Sequence, residues 1–284
     1  MKRSVVVTGA STGIGYAITQ LLAREGFHVF AGVRRMADAE RLAEEIGDEV
    51  TPLLFDVTDA EGLAGAAKDV AARLGDTTLA GLVNNAGVAV AGPLLHLPIA
   101  DLRRQFEINV TAQVAVIQAF APLLGADRAR KGEPGRIVNM SSVAGRIAMP
   151  FTGAYAASKH ALEALTDSLR RELLLYGIDV IAIEPGPIAT PIWDKAESQD
   201  YAAFFKTDYK EAVTRLRAFM LKRGREGLPA ERVAASVLRA LVAPKPPTRI
   251  TLLQGKFMNW TLPRILPDRV LDRMVGKRLG LIKD

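Results

Sequence analysis

Short runs of apolar and β-branched residues alternate along the chain with longer segments in which apolar residues recur every three or four positions. The first run, residues 4–8, leads into a glycine-containing stretch and then a helical pattern over residues 14–25, which Gly26 ends. The alternation continues through seven predicted strands, at residues 4–8, 27–33, 50–55, 79–83, 135–140, 178–183 and 249–253. Regular alternation with nearly continuous apolar strands predicts a parallel sheet that carries helices on both faces.

The fold class that follows is α/β: a single-domain, doubly wound parallel sheet of the Rossmann type with about seven strands. The two longest predicted helices span residues 101–124 and 154–176. Neither a sequence repeat nor a linker-like change of composition divides the body of the chain. Strand-forming residues begin at Ser4 and run straight into the glycines, which excludes a secretory signal and favours a cytoplasmic protein.

The charge distribution separates a neutral body from a basic tail. Lys and Arg total 37 and Asp and Glu total 31, and residues 245–284, with nine basic and three acidic side chains, carry the whole net charge of +6. A balanced body is not a general nucleic-acid-binding surface, so no nucleic-acid partner is expected. The lack of Cys excludes disulfides, iron–sulfur clusters and a Cys nucleophile. His28, His96 and His160 share no ligand-like spacing, so no metal site is predicted.

A glycine-rich loop lies between the first predicted strand and the first predicted helix. Gly9, Gly13 and Gly15 are spaced G-x-x-x-G-x-G, a pattern that permits a tight turn and lets backbone N–H groups approach a pyrophosphate at a helix N-terminus. Taken alone, the loop is equally well a helix-entry turn that tolerates glycine. Its place at the first strand–helix junction of an α/β chain favours dinucleotide binding.

The end of the second predicted strand bears on the choice of dinucleotide. Many dinucleotide-binding folds place an acid there, on the adenosine ribose hydroxyls. Here Arg34 and Arg35 follow the strand, and the first acid is Asp38. Two guanidinium groups suit a 2′-phosphate, so the sequence predicts NADP(H) rather than NAD(H). The alternative is that both arginines are solvated surface charges.

A tyrosine and a lysine four residues apart form the candidate proton-transfer site. The i, i+4 spacing of Tyr155 and Lys159 puts both side chains on one face of a predicted helix. A neighbouring ammonium favours the phenolate and is expected to bring the pKa of Tyr155 towards neutrality. Ser141 and Ser142 end the preceding strand, at the edge of the sheet where parallel-sheet sites form.

Together these segments resemble the short-chain dehydrogenase/reductase family, with a tail similar to that of its hydroxysteroid and retinol dehydrogenase-like members. The resemblance covers about residues 4–245 and rests on motifs in the family's order: T-G-x-x-x-G-x-G at 8–15, Asp56-Val57, Asn84 to Gly87, Asn109, Ser141-Ser142, Tyr155 with Lys159, and Pro185-Gly186. It implies a dinucleotide-binding catalytic region at residues 1–245, which includes a substrate lid at 187–225. Residues 246–284 would then add a last strand and a basic extension.

The resemblance implies a role for each motif. Tyr155 would be the general acid/base, Lys159 would hold the nicotinamide ribose, Ser142 would orient the substrate oxygen and Asn109 would support a proton relay. Ser142 is preferred to Ser141 because it lies 13 residues before Tyr155, the family spacing. The implied cofactor-binding residues are Gly9, Ser11, Gly13, Ile14, Gly15, Arg34, Arg35, Asp56, Val57, Asn84, Ala86, Gly87, Tyr155, Lys159, Pro185, Gly186, Ile188 and Thr190.

The function implied is an NADP(H)-dependent oxidoreductase that interconverts an alcohol and a ketone or aldehyde; the alternative is a non-catalytic NADP(H)-binding regulator on the same fold. Aromatic residues concentrate in the lid, with Met149, Pro150 and Phe151 before Tyr155. They indicate either a large pocket for a bulky apolar substrate or ordinary helix packing.

The basic tail leaves two interpretations open. In the last predicted helix, Val270, Leu271, Met274 and Val275 share one face and Arg269, Arg273 and Lys277 share another. This pattern fits a peripheral membrane surface, or a tail that packs on its own body with solvated charges. Predicted helices 101–124 and 154–176 match those through which family members form homodimers or homotetramers.

Overall fold

The computed structural model describes residues 2–282. Within them, the main sheet has the strand order β3-β2-β1-β4-β5-β6-β9, and every neighbouring pair is parallel. Its strands are β1 (Ser4–Thr8), β2 (His28–Val33), β3 (Val50–Leu54), β4 (Gly81–Asn84), β5 (Arg136–Met140), β6 (Asp179–Pro185) and β9 (Arg249–Leu252). Two short strands, β7 (Ile188–Ala189) and β8 (Leu228–Pro229), pair separately.

Helices cover both faces of the main sheet. They are α1 (Gly13–Arg24), α2 (Met36–Ile46), α3 (Ala60–Leu74), α4 (Ile99–Phe106), α5 (Ala112–Phe120), α6 (Gly153–Glu172), α7 (Ile192–Glu197), α8 (Lys210–Arg225), α9 (Ala230–Val242), α10 (Leu262–Ile265) and α11 (Asp268–Leu279). Apolar residues of α1, α2 and α9 form the core on one face, and those of α3 and α5 form the core on the other. The predicted doubly wound α/β sheet is confirmed.

The predicted helix over residues 101–124 is wrong as a single regular helix. A wide π turn, Glu107–Thr111, separates α4 from α5 and contains the buried Asn109. A second π turn, Pro122–Ala126, follows α5 and bends at Gly125, whose φ is 110°. The reason is local: a π turn inserts one extra residue into the helix, and a backbone with positive φ cannot continue an α-helix.

The C-terminal segment packs on the predicted lid. Val275 and Leu279 of α11 join an apolar cluster that includes residues of α8, and the Arg278 guanidinium lies 4.4 Å from the ring centre of Phe219. Val270 and Met274 point outward instead. The residues predicted to share one apolar face of α11 therefore differ in burial, because Val275 packs on the rest of the protein whereas Val270 and Met274 are exposed to solvent. Within residues 2–282, no helix combines the length and apolar character needed to cross a bilayer.

Candidate active site at the carboxyl edge of the sheet

The carboxyl ends of β1, β4, β5 and β6 lie side by side, because these strands are parallel neighbours. Thr8, the last residue of β1, accepts hydrogen bonds at its Oγ1 from the backbone N–H groups of Asn85 and Ala86, both at 3.0 Å. Asn85 Nδ2 donates to the carbonyl oxygens of Thr8 and Gly9, at 3.0 and 3.2 Å. These bonds fix the loop after β4 against the glycine-rich loop.

The glycine-rich loop is shaped as a cradle that only glycine allows. Gly9 and Gly13 have φ values of 65° and 57°, and a Cβ on Gly15 would overlap the carbonyl oxygen of Gly9. A Cβ on Gly13 would lie 3.3 Å from Cβ of Thr190, and one on Gly9 would lie 3.0 Å from Cα of Ala86. Three segments predicted to bind the cofactor, at residues 8–15, 84–87 and 185–190, therefore meet at one place.

The N-terminus of α1 faces this cradle and is suited to an anion. Within the described chain, its N-cap residue Thr12 makes no capping hydrogen bond with its side chain, and its first turn contains no acidic residue. The first backbone N–H groups and the positive end of the helix dipole are thus left for a negatively charged group. A dinucleotide pyrophosphate fits this cradle. Among its predicted contacts, Ser11 accepts a hydrogen bond from Arg41 at its carbonyl oxygen, and Ile14 is partly buried.

The two arginines after β2 have different partners. Arg35 makes two hydrogen bonds to Asp38, at 2.8 and 3.0 Å, which hold the pKa of that carboxyl below its usual range. Arg34 Nη1 lies 3.6 Å from Asp56 Oδ2, and its side chain is 69% exposed. Part of the Arg35 guanidinium is therefore occupied by Asp38, whereas Arg34 is the more available of the two for a phosphate.

Asp56 and Val57 follow β3 at the same edge. Asp56 Oδ1 accepts hydrogen bonds from the backbone N–H and the hydroxyl of Thr58, at 3.0 and 2.8 Å. Burial raises the pKa of Asp56, but these bonds and the charge of Arg34 outweigh that effect and hold the pKa below its usual range. Val57 packs on the core. A contact of Asp56 with an adenine amino group stays a prediction.

Asn84 is a buried brace within the sheet. Its Nδ2 donates to the carbonyl oxygen of Gln113, at 2.9 Å, and lies 3.5 Å from Asn139 Oδ1. The side chain has no exposed surface, so it acts in holding β4 against α5 and β5. Within the predicted segment 84–87, it is the side chain of Asn85 that touches the glycine-rich loop.

Ser142, Tyr155 and Lys159 are brought together by β5 and α6. Ser142 Oγ donates to the carbonyl oxygen of Pro185, at 3.3 Å, and is close enough to the Tyr155 hydroxyl to lower the pKa of that group. Lys159 Nζ donates to the carbonyl oxygen of Met140, at 2.7 Å, and lies 5.9 Å from the ring centre of Tyr155. Gly186 N–H donates to Leu252 O at 2.7 Å, which fixes the loop after β6 to β9.

Burial controls the proton affinity of both titratable groups. It raises the pKa of Tyr155, and the hydrogen bond with Ser142 offsets only part of that rise. It lowers the pKa of Lys159 to about 8, against the attraction of Glu163. The expectation that Lys159 brings the pKa of Tyr155 towards neutrality is therefore wrong for this geometry, because the ammonium hydrogen-bonds a carbonyl and desolvation of the phenolate dominates.

Asn109 joins the loop after β4 to the helix that carries Tyr155. Its amide accepts from the backbone N–H of Val88 and donates to the Val88 carbonyl, both at 2.9 Å. It also donates to Ser158 Oγ at 3.2 Å, and Ser158 Oγ donates to the Tyr155 carbonyl oxygen at 2.7 Å. The amide is thus used for positioning, and a part in a proton relay stays a prediction.

Gln105 is a site residue that the sequence reasoning missed. It lies four residues before Asn109 and binds the same loop, since its Oε1 accepts from Val90 N–H at 2.7 Å and its Nε2 donates to Val88 O at 2.9 Å. In the sequence, the sign of this role is that Gln105 is a polar residue one helical turn before the motif residue Asn109.

Ile188, which is among the predicted cofactor-binding residues, is a buried core residue whose carbonyl oxygen accepts a hydrogen bond from Trp193 Nε1 at 2.7 Å.

The lid aromatics form a cluster beside the segment that precedes Tyr155. Tyr201 and Phe204 are buried together with Val90, Leu97 and Phe151. The Phe151 ring lies 5.4 Å from that of Tyr209, and Phe151 has a φ of 64°, a strained value for a non-glycine residue. The aromatic residues thus pack on one another and also border the candidate site.

Known proteins resemble this chain over most of its length. The family model described as short chain dehydrogenase matches residues 3–201. An NADPH-dependent 3-dehydrocapnine reductase of Ornithobacterium rhinotracheale is 42% identical over 277 residues, which cover 98% of this chain and 97% of that protein. Retinol dehydrogenase 5 of Mus musculus is 34% identical and covers 95% of this chain, which in turn covers 87% of that protein.

A crystal structure of a short-chain dehydrogenase from Streptomyces avermitilis has the same fold, with a TM-score of 0.76, 26% identity, and coverage of 100% of this chain and 99% of that one. The chain belongs to the short-chain dehydrogenase/reductase family. It is an oxidoreductase of that family, as its motifs predict.

Gly15→Ala tests the cradle. The added Cβ would overlap the carbonyl oxygen of Gly9 and lie 2.6 Å from Asn85 Nδ2, so we expect at least a tenfold weaker affinity for NADPH, measured by fluorescence titration. Gly65→Ala on α3 is the matched control, because its Cβ would meet nothing within 4 Å. An unchanged affinity in folded Gly15→Ala protein would contradict the cradle as the dinucleotide site.

Proposed function

We propose that this protein is an NADP(H)-dependent oxidoreductase that interconverts an alcohol and a ketone or aldehyde on a bulky apolar substrate. The observation that carries the proposal is the grouping of Ser142, Tyr155 and Lys159 beside a glycine-rich cradle, at one edge of the parallel sheet. The alternative, a non-catalytic NADP(H)-binding regulator, gives no reason for a complete proton-transfer group at that edge.

The cofactor assignment rests on two independent observations. No acid follows β2 at the position that favours NAD(H), and Arg34 is exposed there. A relative that is 42% identical over nearly the whole chain is NADPH-dependent by name. When bound, the reduced cofactor supplies a hydride to the substrate carbonyl carbon.

In this reaction the side chains of the protein hold a proton and transfer it to the substrate oxygen. With a raised pKa, Tyr155 keeps its hydroxyl proton at neutral pH, so the proton is present for transfer once negative charge develops on the substrate oxygen, which is then the stronger base. Ser142, whose hydroxyl lies near that of Tyr155, would orient that oxygen, and the buried ammonium of Lys159 would stabilise the negative charge that develops there. In the reductive direction the Tyr155 proton would pass to the substrate oxygen, and the phenolate left behind would regain a proton from solvent before the next turnover.

The substrate class is inferred from the apolar cluster that lies next to the candidate site. Phe151, Tyr209 and the buried Tyr201 and Phe204 present aromatic carbon beside the residues that precede Tyr155. Two relatives of this chain are named as a 3-dehydrocapnine reductase and a retinol dehydrogenase. The second name specifies a retinoid substrate, which is bulky and apolar. We therefore propose a steroid-, retinoid- or lipid-like substrate.

A panel of carbonyl compounds tests the function. Purified protein is assayed with steroid, retinoid and long-chain aliphatic ketones and aldehydes, with NADPH and NADH in parallel. We expect turnover of at least one bulky apolar compound and at least a tenfold preference for NADPH in kcat/KM. Small polar carbonyls serve as the control. Absence of turnover across the panel with NADPH binding intact would favour the regulator, and a preference for NADH would contradict the cofactor assignment.

We also propose that α11 contacts an anionic membrane surface. Arg269 and Arg273 are exposed beside the outward-facing Val270 and Met274, so cationic and apolar groups share one surface. The opposite face of the helix packs on α8 within the lid. Contact with a bilayer at this surface would bring the lid next to a lipophilic substrate.

Vesicle co-sedimentation tests this contact. The double variant Arg269→Glu with Arg273→Glu is expected to bind phosphatidylglycerol-containing vesicles at least fivefold less than the unmodified protein. Lys68→Glu with Arg73→Glu on α3 changes the net charge equally on an exposed surface elsewhere. Equal sedimentation of the α11 variant and the unmodified protein would contradict the proposal.

A homodimer or homotetramer formed through α4, α5 and α6 is the remaining proposal about partners. It is supported by the family resemblance of these helices. Sedimentation of the purified protein distinguishes the two assemblies from a monomer.

A further inference from the structure

A buried ion cluster lies directly behind the candidate active site. Glu163 and Glu184 are only 3% and 1% exposed, and both interact with Arg146 and Arg249. Glu163 Oε2 accepts from Arg146 Nη2 at 3.0 Å and from Arg249 Nε at 2.9 Å. Glu184 accepts from Arg146 Nε at 3.2 Å and from Thr251 Oγ1 at 2.6 Å. Burying such charges is costly, so a cluster of this kind needs complete pairing.

The cluster connects three segments that carry the reaction. Arg146 follows the short turn Val143–Gly145, which Ser142 caps. Glu163 lies on α6 one helical turn after Lys159, and Glu184 directly precedes Pro185, whose carbonyl oxygen binds Ser142. The packing is tight, since a Cβ on Gly145 would lie 3.0 Å from Glu163 Cγ and 3.1 Å from the Lys159 carbonyl oxygen.

One oxygen of Glu163 is left without a hydrogen bond. Among the described residues, Glu163 Oε1 is buried and has no hydrogen-bond partner, while Oε2 binds both arginines. The carboxylate is thus paired with two guanidinium groups through one oxygen only, and its other oxygen is buried on the same helix as Lys159, one helical turn away. In a buried setting, a carboxylate at this spacing attracts the Lys159 ammonium, and the two arginines weaken that attraction.

We propose that Glu163 is a positioning residue that keeps Lys159 charged at neutral pH, with Arg146 and Arg249 holding its carboxylate in place. The proposal rests on the proposed function for its kinetic consequence, but the charge of Lys159 can be observed without turnover. The groups that face this pair are Tyr155 beside Lys159, the two arginines beside Glu163, and Glu184 and Asp167, which share Arg249.

Burial and the carboxylate of Glu163 act on the pKa of Lys159 in opposite directions. Burial lowers the pKa of Lys159 and the attraction of Glu163 raises it, and together they give a pKa of about 8. Without the negative charge of Glu163, the ammonium would lose its proton at a lower pH. The rate of carbonyl reduction would then fall at a lower pH as well, because stabilisation of the developing charge requires the ammonium.

Glu163→Gln tests the proposal, because it keeps the size of the side chain and removes its charge. The titration of Lys159 is followed by NMR of protein labelled with ¹³C at lysine Cε, with the signal assigned by Lys159→Arg. We expect the midpoint to move by about one pH unit towards acid. The fall in kcat for reduction should move with it, while KM changes little at pH 6. An unchanged midpoint would overturn the proposal.

Asp167→Asn is the matched control. Asp167 forms an ion pair with the same Arg249, at 2.7 Å, but lies one helical turn farther from Lys159 than Glu163 does. Its loss should weaken the cluster and leave the Lys159 midpoint within about 0.3 pH unit of the unmodified protein. A shift equal to that of Glu163→Gln would show a packing effect and overturn the proposal.

Arg249→Gln gives a second test if Glu163→Gln does not fold. Removal of a cation that neutralises Glu163 should move the Lys159 midpoint in the opposite direction, towards higher pH. A shift towards acid would contradict the proposal. A protein that shows the expected midpoints without turnover would leave this inference standing and count against the proposed enzyme function.

Discussion

Parallel pairing of β1, β4, β5 and β6 is the constraint on which the candidate site depends. Val7 pairs with Val83, Asn84 with Asn139 and Met140 with Ile183, so the strands end together and their following loops face the same side. The side chain of Thr8 then reaches the loop after β4. A shift of one residue in any strand would turn every side chain in it to the opposite face and separate these groups.

Within that frame, the chemistry depends on burial as much as on the identity of the residues. Burial raises the pKa of Tyr155 and lowers that of Lys159. The first effect keeps the proton on the donor at neutral pH, whereas the second disfavours the cation beside it, so the arrangement needs an opposite charge that keeps the lysine protonated. The ion cluster around Glu163 supplies the opposite charge that this arrangement requires, from a side chain that would not touch the substrate.

The sequence predicted the elements because their signals are local. Each main strand is a short apolar run, and the motif residues from Gly9 to Thr190 stand in an order that a known family shares. What it could not predict depends on distant contacts or on water exclusion. The pairing of Arg249 with Glu163 joins residues far apart in the chain, and the pKa of Tyr155 depends on how deeply α6 and its neighbours enclose it. The π turn at Asn109 likewise accompanies contacts with the loop after β4 and with α6.

Turnover of Tyr155→Phe, with NADPH affinity measured on the same protein, decides whether Tyr155 supplies the proton. The variant removes one hydroxyl and keeps the aromatic ring against its neighbours. We predict that carbonyl reduction falls at least a thousandfold while the affinity for NADPH stays within about threefold of the unmodified protein. Near-normal turnover in this variant would show that another group supplies the proton and would contradict the assignment of the active site.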